Sequence, residues 1–289
     1  MNTFRFIDGL KVVAQHKPRR ICFYFLRGGL GNQLFQINVL NHMSSTMGFN
    51  IVFCEVDVKK NSRDRSGASG LQLNMQRNNS QDPWIKRSGR STDLLLRVLR
   101  SVKFPFFKLP HINFDESVIL PSSRFFTANG YLQNNRDFLF SPNFRVPPNL
   151  TKYRSFSKNP AKVALHIRAT DSLMKSEMAL TEHYYKSALD FLNISPSLEV
   201  DVYSDDTFFA KKLCLKIGNF NFKFMEEFEA LNSLQLLANL SSYQYLINSK
   251  STLTWWASVF TEKTHSKTII VSPWEDQFNL SSWFTILGK

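Results

Sequence analysis

Apolar residues run unbroken from Ile21 to Leu26, and a glycine-rich turn and a helix-like pattern follow directly. A short apolar run closed by a turn predicts a buried strand. Past the turn, Leu34, Ile37, Leu40, Met43 and Met47 recur at helical spacing, and Gly48 supplies a C-terminal stop. Ile51 to Cys54 reads as a second buried strand. Residues 59–93 are dense in Ser, Arg, Asn and Gln and predict a long loop. Leu94, Leu95, Val98, Leu99 and Val102 then form an apolar stripe flanked by Arg90, Arg97, Arg100 and Lys103. That stripe suits an ordinary amphipathic helix or a contact with an acidic membrane.

Prolines 142, 147, 148 and 160 mark a linker near residues 141–160. The expected organisation is an irregular leader over 1–20, one unit over 21–150 and a second over 151–289. The second unit alternates strand and helix: strands over 163–167, 198–203, 220–224, 243–247 and 268–271, and helices over 182–192, 207–215, 231–240 and 252–260. Such alternation predicts α/β architecture with parallel, doubly wound sheets. The conspicuous polar segments each follow a predicted strand: Gly28–Asn32, His166–Asp171, Ser204–Asp206 and Asn248–Ser251. Ligands of open α/β sheets bind at the carboxyl ends of strands, so these segments are expected to converge on one cleft.

Composition narrows the partners. The 289-residue chain is 43% hydrophobic with 27 phenylalanines, which argues for packed cores. A formal net charge of +13 favours an anionic partner. Cys22, Cys54 and Cys214 lack metal spacing and suit a reducing compartment better than a disulfide framework. No apolar run approaches the roughly 18–20 residues that cross a bilayer, and the first residues lack a secretory pattern. No aromatic RNA-binding signature or zinc-finger spacing supports a nucleic-acid partner.

The residues themselves now point to a family. Gly-Gly-Leu-Gly-Asn-Gln-Leu-Phe-Gln at 28–36, Gly-Tyr-Leu-Gln at 130–133, His-Ile-Arg-Ala-Thr-Asp at 166–171, Ser-Asp-Asp at 204–206 and Asn-Ser-Lys-Ser-Thr-Leu-Thr-Trp-Trp at 248–256 occur in this order. In these five segments the chain resembles glycosyltransferase family 11, the α-1,2-fucosyltransferases, and more distantly the α-1,6 and protein O-fucosyltransferases. The resemblance implies a GT-B-like pair of Rossmann-type domains facing a central cleft, with the N-terminal one on the acceptor side. It implies a GDP-fucose donor, inversion at the sugar carbon and no metal or other cofactor. The acceptor is then an oligosaccharide with a galactose-like sugar, lipid-linked in surface polysaccharide (O-antigen) synthesis. The enzyme would work in the cytoplasm, peripheral on the inner face of the plasma membrane. A non-catalytic nucleotide-sugar-binding relative is the alternative.

The resemblance also assigns residues. Arg168 is the first candidate for catalysis, because a guanidinium grips phosphate oxygens as charge develops on departing GDP. Asp171 orients Arg168, caps the next turn or, less readily, acts as a base; with Glu177 it is the nearest carboxylate in sequence, and no general base is identifiable. His166 contacts the nucleotide or is a core histidine. Ser204 opens the Ser-Asp-Asp segment; of Asp205 and Asp206, one recognises guanine and the other caps a helix. Asn248, Ser249 and Ser251 precede a predicted helix whose backbone N–H groups suit a diphosphate. Arg27, Gly28, Gly29, Gly31, Asn32 and Gln33 form the glycine loop along the cleft. Ala169 departs from the family, which has a second arginine there; Arg27 is the expected replacement charge.

Overall fold

A computed structural model describes residues 20–54, 85–87, 109–116, 119–132, 163–169, 180–225, 233–262, 269–272 and 284–286. The proline-marked linker and the stripe at 94–103 lie outside them. Two parallel sheets organise these residues. The first contains β1 (Arg20–Phe25), β2 (Phe49–Cys54), β3 (Ile85–Arg87), β4 (His111–Asn113) and β5 (Phe125–Asn129), in the order β3-β2-β1-β5-β4. The second contains β6 (Val163–Ile167), β7 (Glu199–Ser204), β8 (Asn221–Phe224), β9 (Tyr245–Ile247), β10 (Ile269–Ser272) and β11 (Phe284–Ile286), in the order β11-β10-β9-β6-β7-β8.

Among the described residues five helices cover these sheets: α1 (Leu30–Met47), α2 (Glu182–Phe191), α3 (Thr207–Ile217), α4 (Ser233–Leu240) and α5 (Thr252–Glu262). β6 is buried along its whole length. Its alternate residues serve two cores, as expected of a central parallel strand. Val163, Leu165 and Ile167 pack with α2 and α3, whereas Ala164 faces the cluster that holds α4 and α5. That second cluster is continuous with the first sheet. It joins Tyr24, Phe53 and Phe126 to Trp255, Trp256 and Phe260 through α1.

α1 is the seam between the two sheets. It buries Leu34, Phe35, Ile37, Val39, Leu40 and Met43, more of its circumference than one sheet could cover. Phe35 packs against Trp255 and Trp256 at ring separations of 4.5 and 5.1 Å. The helix ends where the sequence indicates: Gly48 sits at φ +70° and its N–H closes on the Ser44 carbonyl at 3.0 Å. β3 lies within the stretch expected to be a loop, and β4, β5 and β11 also lie beyond the expected strands. Each has five residues or fewer, and β3 (Ile-Lys-Arg) carries no apolar run to reveal it.

Candidate functional site

Both sheets reverse their winding beside their first strand. From β1 the chain moves outward through β2 and β3, then β5 and β4 add on the opposite flank. From β6 it moves through β7 and β8, then β9, β10 and β11 add on the other side. Such reversals open a crevice at the carboxyl ends of the two central neighbours. In the first sheet these ends carry Gly28–Asn32 and Gly130–Leu132. In the second they carry His166–Ala169 and Asn248–Ser251.

The glycine loop is clamped by amides. Gln33 Nε2 donates to the Gly28 carbonyl at 2.8 Å. The buried Gln36 amide donates to the Arg27 carbonyl (2.8 Å) and accepts from the Arg27 N–H (2.9 Å). Gly28 has φ +73°, a backbone conformation that glycine adopts without strain. Gly29 is exposed and forms the N-cap of α1, offering no side chain to close the first N–H groups.

Gly31 has a different reason. A Cβ there would stand 2.5 Å from the Leu253 backbone nitrogen and 2.6 Å from the Thr252 carbonyl carbon. Its space is taken by α5. The helices meet at their N-terminal ends, where the Thr252 hydroxyl donates to Asn32 Oδ1 at 2.9 Å. Neither helix has an acidic residue in its first turn. Two adjacent helix N-termini without acidic side chains make a concentrated region of N–H donors and positive dipole, suited to a diphosphate.

At the second reversal, His166 Nδ1 and Ser249 Oγ are 2.6 Å apart, which joins the ends of β6 and β9. His166 is buried, and its pKa is pushed down to about 4 by burial and then by the Arg168 charge, with Asp205 opposing. The ring is therefore neutral at physiological pH and too weak a base to take a proton from a hydroxyl. Arg168 is half-buried in the loop that follows. The next residue, Ala169, is fully buried, and its N–H donates to Asp205 Oδ1 at 2.7 Å.

The two adjacent aspartates separate cleanly. Asp206 is the N-cap of α3 and accepts from the Phe209 N–H at 2.9 Å. Ser204 serves the same turn, donating to the Asp206 carbonyl and accepting from its N–H. Asp205, held against Ala169, is the carboxylate at the site. Asn248 is fully buried beneath the loop, and its amide nitrogen donates to Ser258 on α5 at 2.6 Å. It supports the loop from below. Ser251 immediately precedes α5, its carbonyl accepting from the Trp255 N–H at 3.0 Å. Asp171 lies outside the described residues.

Contacts thus join the polar segments in series: Asn32 to Thr252, Ser249 to His166, and Ala169 to Asp205. Thr252 and Gln36 are parts of this arrangement that the sequence reading leaves without a role. The pairing of Gln33 with Gln36, one turn apart on a mostly apolar helix, was the available signal. Among the described residues, no group of three or more His, Cys, Asp or Glu side chains is arranged to hold a metal ion.

No protein-family profile matches the chain, and no curated protein sequence does. Solved structures do. POFUT1 in its apo form matches at a TM-score of 0.52 and 12% identity, over 89% of this chain and 98% of that one. POFUT1 in complex with GDP-fucose matches at 0.50 and 12%, over 87% and 96%. The fucosyltransferase NodZ from Bradyrhizobium matches at 0.50 and 11%, over 84% and 92%. At such identities the likeness speaks for architecture: the chain has the GT-B-like α/β fold of these fucosyltransferases.

Proposed function

We propose that this protein is an inverting fucosyltransferase that moves L-fucose from GDP-fucose to the 2-hydroxyl of a galactose-like acceptor. The observation that carries the reading is the meeting of motif segments far apart in sequence. Asn32 bonds Thr252, 220 positions away, and His166 bonds Ser249, 83 positions away, within one band of polar groups. The donor is proposed from the motifs, and it agrees with the GDP-fucose complex of a protein of the same fold.

In the proposed reaction the acceptor oxygen attacks the anomeric carbon of fucose from the face opposite the diphosphate. The bond from that carbon to the phosphate oxygen breaks, and its electron pair leaves with GDP. Arg168 and the N–H groups at the starts of α1 and α5 stabilise the charge that develops there, in the manner of other preorganised electrostatic sites. Arg27, beside the glycine turn, adds the positive charge that position 169 lacks. Asp205 receives the guanine edge. The acceptor proton passes to a base outside this set, since His166 is neutral and engaged. No metal is assigned a part.

The proposed setting is the cytoplasmic face of a membrane bearing a lipid-linked acceptor. No helix among the described residues is long and apolar enough to cross a membrane. The test is incubation with GDP-fucose and a panel of galactosides, followed by GDP-release measurement and NMR of the product linkage. Fucosyl transfer forming an α-1,2 bond is expected. Transfer to another hydroxyl would reject the linkage, and transfer from UDP-sugars alone would reject the donor. A GDP-induced rise in melting temperature without product would instead identify a non-catalytic binding protein.

A further inference from the structure

The turn after β5 holds an exposed aromatic residue on an unusually constrained backbone. Gly130 has φ +143° and Leu132 has φ +58°, a left-handed conformation rarely adopted by a branched residue. Tyr131 stands between them with 44% of its surface exposed, while Leu132 is buried in the core. Asp115 Oδ2 accepts from the Tyr131 N–H at 2.6 Å, and Oδ1 accepts from the Leu132 N–H at 2.8 Å. The buried Tyr24 hydroxyl donates to the Gly130 carbonyl at 2.5 Å. Three consecutive residues are thereby fixed by two side chains distant in sequence, Tyr24 on β1 and Asp115 in the turn after β4.

Such strain persists only where the surroundings enforce it, and an enforced outlier beside an exposed aromatic residue points to use. The location sharpens the point. This turn and the glycine loop are the two segments at the reversal of the first sheet, across which a ligand is expected. The donor diphosphate is assigned to α1 and α5, which leaves the β5 side of this reversal for a second ligand.

We infer that Tyr131 is the platform on which the acceptor sugar stacks, with Asp115 as the positioning residue that sets its backbone. A hexopyranose of the galactose type presents a patch of C–H groups on one face. That patch packs against an aromatic ring through dispersion and burial of apolar area, while the sugar hydroxyls stay in water or meet polar groups at the rim. The side chain contributes its ring face, so its hydroxyl is secondary. This inference rests on the glycosyltransferase reading for its substrate class.

Tyr131→Ala should raise the acceptor KM about tenfold, the loss expected for one aromatic contact. Its GDP-induced melting shift should match that of the unmodified protein. Tyr131→Phe should restore most of the lost acceptor affinity. Asp115→Asn, which weakens the clamp without touching sugar, should raise the acceptor KM by a smaller factor at similar kcat. An unchanged acceptor KM in Tyr131→Ala overturns the inference, as does an equal loss of GDP binding. Should the unmodified protein transfer no fucose, saturation-transfer NMR with methyl galactosides decides the matter separately. A signal lost in Tyr131→Ala supports the platform, and a retained or absent signal rejects it.

Discussion

Gly31→Ala should separate α1 from α5 and weaken whatever binds at their shared end. The added methyl carbon would lie 2.5 Å from Leu253 N and 2.6 Å from Thr252 C, and both are backbone atoms that no rotamer change can move. Overpacking of this kind costs about 3 kcal/mol at the upper end of its usual range. Loss of the Thr252–Asn32 hydrogen bond adds about 1 kcal/mol. The better helix propensity of alanine returns about 1 kcal/mol. A net loss of about 3 kcal/mol lowers Tm by roughly 6 °C or more in a protein of this size. Gly29→Ala is the matched control for stability: no described atom lies within 4 Å of its Cβ position, and its φ of −72° suits any residue. Its weaker N-capping and its smaller unfolded-state entropy nearly cancel, within about 0.5 kcal/mol. Differential scanning fluorimetry with and without GDP reads both quantities. Equal melting of the two variants would show that the helices do not meet as described, and an undiminished GDP shift in Gly31→Ala would place the nucleotide away from their shared end.

Three further outcomes follow from the same geometry. His166 binds its proton more weakly in the folded than in the unfolded chain, so stability should fall as pH drops from about 6.5 to 4, by about 3 kcal/mol in total; urea midpoints across this range should decline less in His166→Gln, and an identical decline would absolve the histidine. Gly29→Asp should supply the missing N-cap and first-turn negative charge, raising Tm by a few degrees through about 1 kcal/mol. The same carboxylate should repel a diphosphate, so a simultaneous loss of GDP binding is expected by calorimetry, and retained binding would place the diphosphate elsewhere. Ala169→Arg, which the family pattern offers as a rescue of missing charge, should instead destabilise the fold by several kcal/mol, because Ala169 is fully buried; a variant that melts normally and works faster would refute that.

Much of this arrangement was legible in the chain, and what was not has identifiable causes. The alternation of strands and helices over residues 163–271 needed only short apolar runs and helical periodicity, because polar segments separate each strand from the helix that follows it. β3, β4 and β5 escaped because short strands in a parallel sheet derive their order from neighbours distant in sequence: β5 becomes a strand by pairing with β1, about a hundred residues earlier. The polar segments were correctly located at strand ends, but their division of labour was not visible. Asp205 and Asp206 are equivalent on paper; only the start of α3 makes one a cap, and only the Ala169 N–H fixes the other.

The glycine loop shows where sequence and geometry divide. Its pattern indicates positions where a side chain is unwelcome, without saying what excludes it. At Gly28 the backbone angle decides, at Gly31 the neighbouring helix does, and at Gly29 nothing among the described residues does. A glycine that no described residue crowds, at an uncapped helix start beside a second helix start, fits the diphosphate position proposed above. By the same logic the absent arginine at 169 is a packing outcome, since the loop that would carry it is buried against Asp205. In the proposed reaction, positive charge for the departing diphosphate comes from Arg168 and from Arg27, whose backbone Gln36 holds in place. The two arginines follow β1 and β6, strands of different sheets, so the proposed handling of the donor requires the two halves to stay in register. The buried contact of Phe35 with Trp255 and Trp256 provides that register.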